Sequence, residues 1–306
     1  MPWPPIVHHP AFRAQMPDGH RFPMDKFSRL ARVIEAEGLA GPAGFAVPEP
    51  VSLEVLRLVH EADYVRGVVE QSLPPDIVRR IGMPNSASVA DRALAATGGT
   101  ILAARLALEH GIACNTAGGS HHAQAETGAG FCVFNDVAVA ARLLQAEGRV
   151  GQVLVVDLDV HQGDGTARIF ENDPSVFTFS MHAEKNFPAR KAASDLDVDL
   201  ADGTGEEAYL AALSQVLPDL LDRVAPDLVF FNAGVDPHAD DKLGRLSLSD
   251  AGLARREAFV LGCCLERRVP VAGVIGGGYD ADINRLAHRH AILHRAARQA
   301  LSARGG

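Results

Sequence analysis

The sequence predicts an α/β protein: one domain over residues 1–306, built as three αβα layers with helices on both sides of a mostly parallel central sheet. Two observations carry that expectation. Short apolar runs without polar alternation recur along the chain, as strands buried on both faces do. Between them lie longer segments whose apolar residues return with helical spacing. Neither internal repeats nor low-complexity linkers interrupt the pattern.

In chain order, the prolines around Trp3 read as the lead-in to a terminal strand, and His8 and His9 as surface residues. The Pro/Gly-rich piece 38–50 (GLAGPAGFAVPEP) reads as a surface connection. A long helix is expected over 87–110, then a strand over 112–117 (IACNTA) and a helix over 135–148. Strands follow at 152–158 (QVLVVDL) and 176–181 (VFTFSM), then a helix at 206–224 and a strand at 227–233 (DLVFFNA). The helix expected at 249–268 has Ser249 as its N-cap. A strand at 270–275 (PVAGVI) and a helix at 281–302 complete the set, with His288 and His290 read as surface residues of that helix.

Composition narrows the partners. Asp and Glu (38) outnumber Lys and Arg (29), leaving a net charge of −9, which argues against a nucleic-acid partner. An acidic rim around a site would favour a cationic substrate. Cys114, Cys132, Cys263 and Cys264 show no C-x-x-C spacing, so a reducing compartment is expected, with Cys132 a packing residue. The start MPWPPIVHHP lacks the basic and apolar regions of a signal peptide. No stretch approaches the ~20 apolar residues of a membrane span. A soluble, cytoplasmic protein without a membrane partner is the expectation.

Each expected strand leads into a run of polar residues and glycines: GGSHH, DVHQGDG, HAEKNFP, GVDPHADD and GGGYD. In open α/β sheets ligands bind at the carboxyl ends of strands, so these runs converge on one rim. The second run is the most telling. Asp157, Asp159 and His161 alternate along one strand face, with Asp164 just beyond, while the other face stays apolar. Burying neighbouring carboxylates unpaired costs several kcal/mol each, so a positive charge is missing there. Asp159 and His161, joined by Asp236 from NAGVDPH, make three protein ligands with a position left open, the pattern of a catalytic metal. Zinc is the first choice, and Fe(II) or Mn(II) also suit oxygen-rich ligands.

Two carboxylate ligands cancel the charge of a dication, so a protein base is needed beside it. His121 and His122, after the turn-forming Gly118 and Gly119, offer one, and Asp157 and Asp164 can orient the two rings. Tyr279, after three glycines, is placed to donate its O–H to a developing oxyanion.

With those residues assembled, the chain resembles the histone deacetylase superfamily, which has an arginase-like α/β fold. The motifs run in order from HRFPM (20–24) through GGSHHA, GFCVFND (130–136), DLDVHQGDG and NAGVDPH to GGGYD. HRFPMDKF, MHAEKNFP and SDLDVDLADGTG are most similar to the class IV branch and its bacterial relatives. The resemblance implies a zinc-dependent deacylase acting on acyl-lysine in a protein or peptide, or on small acylated amines. Asp159, His161 and Asp236 match its metal ligands, His122 the general base and acid, His121 the electrostatic histidine, and Tyr279 the carbonyl-polarising residue. Asp157 and Asp164 match the carboxylates behind the histidines. Phe131 and Phe187 match the aromatic walls of the acyl-lysine tunnel, Gly130 the residue whose carbonyl receives the substrate amide N–H, and Arg21 resembles the arginine of an internal product channel. A structural K⁺ or Na⁺ is implied beside Asp157, Ser180 and Met181.

Three positions depart from the family pattern. Gln162 replaces a common second histidine, and GMPNSASV (82–89) is too short for the acidic loop that grips substrate backbone. Leu243 stands where polyamine-selective members use a glutamate. A two-manganese ureohydrolase and a non-catalytic acyl-lysine-binding domain are the rival readings. The first needs more bridging carboxylates than this sequence places, and the second expects some catalytic position to have decayed.

Overall fold

The five apolar runs all become strands, with ends within two residues of those expected. The computed structural model describes residues 3–304. Its strands are β1 (Ile6–Val7), β2 (Ile112–Asn115), β3 (Val153–Asp157), β4 (Val176–Ala183), β5 (Leu196–Leu200), β6 (Leu228–Asn232) and β7 (Val271–Val274). They form one sheet in the order β1-β2-β7-β6-β3-β4-β5, with every neighbouring pair parallel. The lead-in after Trp3 is borne out as β1. β5 escapes the sequence reading because LDVDL alternates and lies half-exposed at the sheet edge, unlike the buried central strands.

The helices are α1 (Lys26–Ala36), α2 (Leu53–Leu56), α3 (Ala62–Val69), α4 (Pro75–Ile81), α5 (Ala87–His110), α6 (Asp136–Ala146), α7 (Asp164–Phe170), α8 (Glu206–Val224), α9 (Asp250–Glu266) and α10 (Ile283–Arg304). Ser249 caps α9 as expected, its Oγ accepting from the Gly252 N–H at 3.1 Å. α5 starts on Ser86, whose Oγ accepts from Val89 N–H, and stops at Gly111 with φ of 85°. α5 and α6 pack together on one face of the sheet, and α1, α10, α9 and α8 pack successively on the other. Among the described residues no helix is long and apolar enough to cross a membrane.

Between β2 and β3 in the sheet lie β7 and β6, so the chain reverses its direction of travel across the sheet there. The loops leaving β2, β7, β6 and β3 therefore meet at a switch point, where α/β sheets bind ligands. Those loops carry His121–His122, Tyr279, Asp236 and Asp159–His161 respectively.

Candidate active site

β3 stops at Asp157, and residues 158–161 leave it as a bend instead of continuing the alternating strand read from the sequence. The acids still reach one rim. Asp157 is in register with Ser180 of β4 and Asn232 of β6. Its Oδ1 accepts from Asn232 Nδ2 at 2.9 Å and from the Asp159 N–H at 3.2 Å. Met181 follows Ser180 on β4 and is fully buried.

One donor atom from each of Asp159, His161 and Asp236 lies within 4.8 Å of the others, and all three residues are buried. His161 Nδ1 faces Asp159 Oδ1 at 3.0 Å and Asp236 Oδ2 at 3.2 Å. The remaining carboxylate oxygens are held by backbone: Asp236 Oδ1 accepts from Val160 N–H at 2.8 Å and Asp159 Oδ2 from Gly277 N–H at 2.7 Å. Asp236 Oδ2 is buried, and the His161 ring beside it is not aligned to donate, so among the described residues it accepts no well-formed hydrogen bond. Burial, reinforced by the Asp159 charge, pushes the Asp236 carboxyl up to about 7. An orphaned carboxylate oxygen beside a second carboxylate and an imidazole fits a divalent cation. Gly277 fits the same picture, since a Cβ there would overlap Asp236 Oδ2 and sit 2.7 Å from Asp159 Oδ2.

The histidine pair is set by a turn that only glycines make easily. Gly118 and Gly119 have φ of 85° and 82°. Asp136, at the start of α6, accepts from the N–H groups of Gly119 (3.1 Å) and Ser120 (2.7 Å). The ring centroids of His121 and His122 then lie 4.1 Å apart with the planes tilted by 48°, each ring with its own carboxylate: His121 Nδ1 to Asp157 Oδ2 at 2.6 Å, His122 Nδ1 to Asp164 Oδ1 at 2.8 Å. Their electrostatics diverge. Burial opposes a charge on His121, but Asp157 and Asp159 outweigh it and hold its pKa up, to about 9. Burial, aided by the neighbouring His121, pushes His122 down to about 4. The second ring is thus a neutral proton acceptor next to a cationic one.

Tyr279 closes the opposite side. Its ring lies edge-on to His161 at 6.3 Å and 6.0 Å from Phe131. Asp241 ties this loop to the next, accepting from Tyr279 N–H at 2.6 Å and from Leu243 N–H at 2.8 Å. Phe131 and Phe187 both line the entrance. Gly130 lies against both His122 and Phe187, where a Cβ would fall 2.6 Å from the His122 ring. Phe187 is 44% exposed, and Leu243 borders the same opening, its carbonyl accepting from Asn186 Nδ2 at 2.8 Å. Gln162 points away from the metal cluster, toward the Ala192 carbonyl and Asp197.

Three surface or channel assignments need correction. Arg21 is exposed, its guanidinium over the outer side of Phe131 at 5.6 Å, and so is not an internal residue. The turn that carries it presents Arg21 outward while its neighbours Phe22 and Met24 are buried in the core. His290 is fully buried behind the site because α10 packs its apolar stripe on the sheet, whereas His288 is exposed. His8 and His9 are half-buried, with His8 Nδ1 2.7 Å from Thr116 Oγ1.

The buried cations of the inner chamber are Lys26 and Arg92, which sequence reading missed. Lys26 Nζ donates to the Gly276 carbonyl at 3.1 Å, and Arg92 sits over the Phe27 ring at 4.7 Å with its Nε unpartnered. Lys26 offered a signal, being one of four lysines in an otherwise Arg-rich chain and lying within HRFPMDKF. Arg92 offered a weaker one, as a charge in an alanine-rich apolar helix.

Fold and site together define a hydrolase built on a parallel α/β sheet, and comparison with known proteins specifies which. The family model for the histone deacetylase domain matches residues 20–294. An uncharacterized protein of Picosynechococcus sp. is 53% identical over 294 residues, covering 96% of this chain and 98% of its own. Histone deacetylase 2 of Arabidopsis thaliana is 30% identical, covering 85% of this chain and 70% of its own. A probable deacetylase of Archaeoglobus fulgidus is 28% identical over 90% of this chain and 81% of its own. The crystal structure of an HDA15 HD domain superposes with a TM-score of 0.82 at 22% identity, over 98% of this chain and 90% of that one. The chain belongs to the histone deacetylase family, and the activity this supports is that of a deacetylase.

Proposed function

We propose that this protein removes acetyl or another acyl group from the side-chain amine of acyl-lysine in proteins or peptides, with a divalent metal, zinc first among the candidates, held by Asp159, His161 and Asp236. The observation that carries the reading is the clustering of His122, backed by Asp164, and Tyr279 on either side of His161, whose ring belongs with Asp159 and Asp236 to the one group of donor atoms that could hold a metal among the described residues. When bound, the metal supplies Lewis acidity toward the acyl carbonyl and acidifies a water.

The chain's own residues do the rest. Phe131 and Phe187 clasp the apolar stem of the lysine, and the Gly130 carbonyl accepts the amide N–H. His122 takes a proton from the attacking water at the nitrogen not bound to Asp164. Tyr279 donates its O–H to the carbonyl oxygen as negative charge develops. Burial and the nearby Asp159 and Asp236 charges hold the Tyr279 phenol well above its usual pKa, so it stays a donor. The C–N bond breaks, His122 returns its proton to the leaving amine, and a free lysine and a carboxylate result. His121 stays cationic against Asp157. Lys26 and Arg92 give the inner chamber the positive charge that attracts the carboxylate product. A K⁺ or Na⁺ beside Asp157, Ser180 and Met181 would brace the Asp157 end of β3.

A fluorogenic acetyl-lysine peptide, assayed with and without chelator beside a panel of longer acyl chains and acetylated polyamines, tests this. Chelator-sensitive release of free lysine supports it. Hydrolysis of polyamines alone, or of nothing, would overturn it.

A further inference from the structure

We infer that the site selects acyl-lysines flanked by carboxylates, that is, acidic peptide segments. The inference rests on the deacylase reading above and names its substrate class. Three arginines, Arg21, Arg79 and Arg80, line the funnel that leads down to His122, His161 and Tyr279, and no carboxylate lines it. All three are exposed, and among the described residues none makes an ion pair, a state they share with other surface arginines such as Arg29 and Arg57 but which here is concentrated at one opening. In a chain of net charge −9, a mouth of unpaired arginines is the reverse of an acidic rim that would favour a cationic substrate.

The lip is fixed in place. Arg79 and Arg80 end α4, whose last turn is stitched to the tunnel wall: Gly130 N–H donates to the Arg80 carbonyl at 3.0 Å and Phe131 N–H to that of Ile81 at 2.7 Å. Arg21 lies over the Phe131 ring, 5.6 Å from its centroid. Backbones are thus held beside the entrance while the guanidinium groups stay free for a ligand. In the groove alongside, Asp25 is paired with Arg13, and Asp280 with Arg285 and Arg289, leaving Lys242 and Asp18 with no ion pair there. Guanidinium forks match carboxylates bidentately, and a funnel with low-dielectric walls concentrates the field at its mouth. Such a mouth repels polyamines and lysine-rich tails and draws in peptides with Asp or Glu beside the acylated lysine.

The test compares acetyl-lysine peptides of one length with acidic, neutral or basic residues at the two positions on either side. At low ionic strength kcat/KM should favour the acidic over the basic peptide by about tenfold or more, and the ratio should shrink as salt shortens the Debye length. In an Arg79→Glu/Arg80→Glu variant the order should invert. Equal kcat/KM for the three peptides, or an acidic preference unchanged in that variant, would overturn the inference while hydrolysis of the neutral peptide still upheld the deacylase reading. If the wild-type protein cleaved none of them, both would fall.

Discussion

Arg256 of α9 donates from Nη2 to the carbonyl of Gly234 at 2.8 Å, and the same guanidinium donates from Nη1 to the carbonyl of Leu158 at 3.0 Å. These carbonyls lie two residues before Asp236 and one before Asp159, so a single buried cation clasps the loops carrying both acids of the metal cluster. Glu257 balances its charge through two bonds, at 2.7 and 2.8 Å, with both side chains fully buried.

Removing only one partner of that pair strands the other's charge. Arg256→Met is expected to cost about 3–5 kcal/mol, read as a lower midpoint in urea unfolding. Arg256→Met/Glu257→Leu should recover much of that stability. Its metal affinity should nevertheless stay weaker than wild type, because the Leu158 and Gly234 carbonyls have lost their common donor.

The two catalytic roles separate by substitution. Tyr279→Phe should lower kcat by about 10²–10³-fold, the usual consequence of losing one oxyanion donor. His122→Ala should lower it by at least about 10²-fold, with an unchanged circular dichroism spectrum in both cases. Near-wild-type turnover in either variant would refute the assignment of roles.

Gly277→Ala places a methyl group against Asp236 Oδ2 and Asp159 Oδ2. Competition with a chelating dye should show metal affinity reduced by well over tenfold. Unaltered affinity would mean that these oxygens do not face a metal.

Acid should destabilise the fold through histidines remote from the metal cluster. His60 accepts the Asn135 N–H at Nε2 (3.0 Å), which requires a neutral ring on that side, and burial pushes its pKa down to about 4. His294 is driven to about 3 by burial, then by Arg295. Since the unfolded rings protonate near pH 6.5, the unfolded state binds more protons below that point, and stability rises with pH. Their contribution is intact above pH 6.5 and is lost as pH falls through 4 toward 3, a few kcal/mol for each ring. Urea midpoints measured from pH 7 to 4 should fall, and His60→Asn should flatten the profile.

The central strands and long helices were legible because burial on both faces and helical periodicity leave strong marks on sequence. Edge strand β5 and the short helices α2, α3, α4 and α7 left weak ones, their few turns being fixed by packing. The convergence of Asp159, His161 and Asp236, and the histidine pair beside them, could be read since an acid or imidazole at the mouth of an apolar strand needs a chemical reason. Lys26 and Arg92 were missed although each left a faint mark, because a cation on a helix looks like a solvated side chain until the packing turns it inward. Arg21 erred the other way, since only the course of the turn before α1 shows that it stays outside.

The cluster formed by Asp159, His161 and Asp236 is the centre of this account, and metal analysis of the purified protein by mass spectrometry addresses it most directly. One divalent ion per chain, zinc in the first instance, is expected, and Asp236→Ala should lose it. Two manganese ions per chain, or a metal-free protein that hydrolyses acetyl-lysine at full rate, would contradict it.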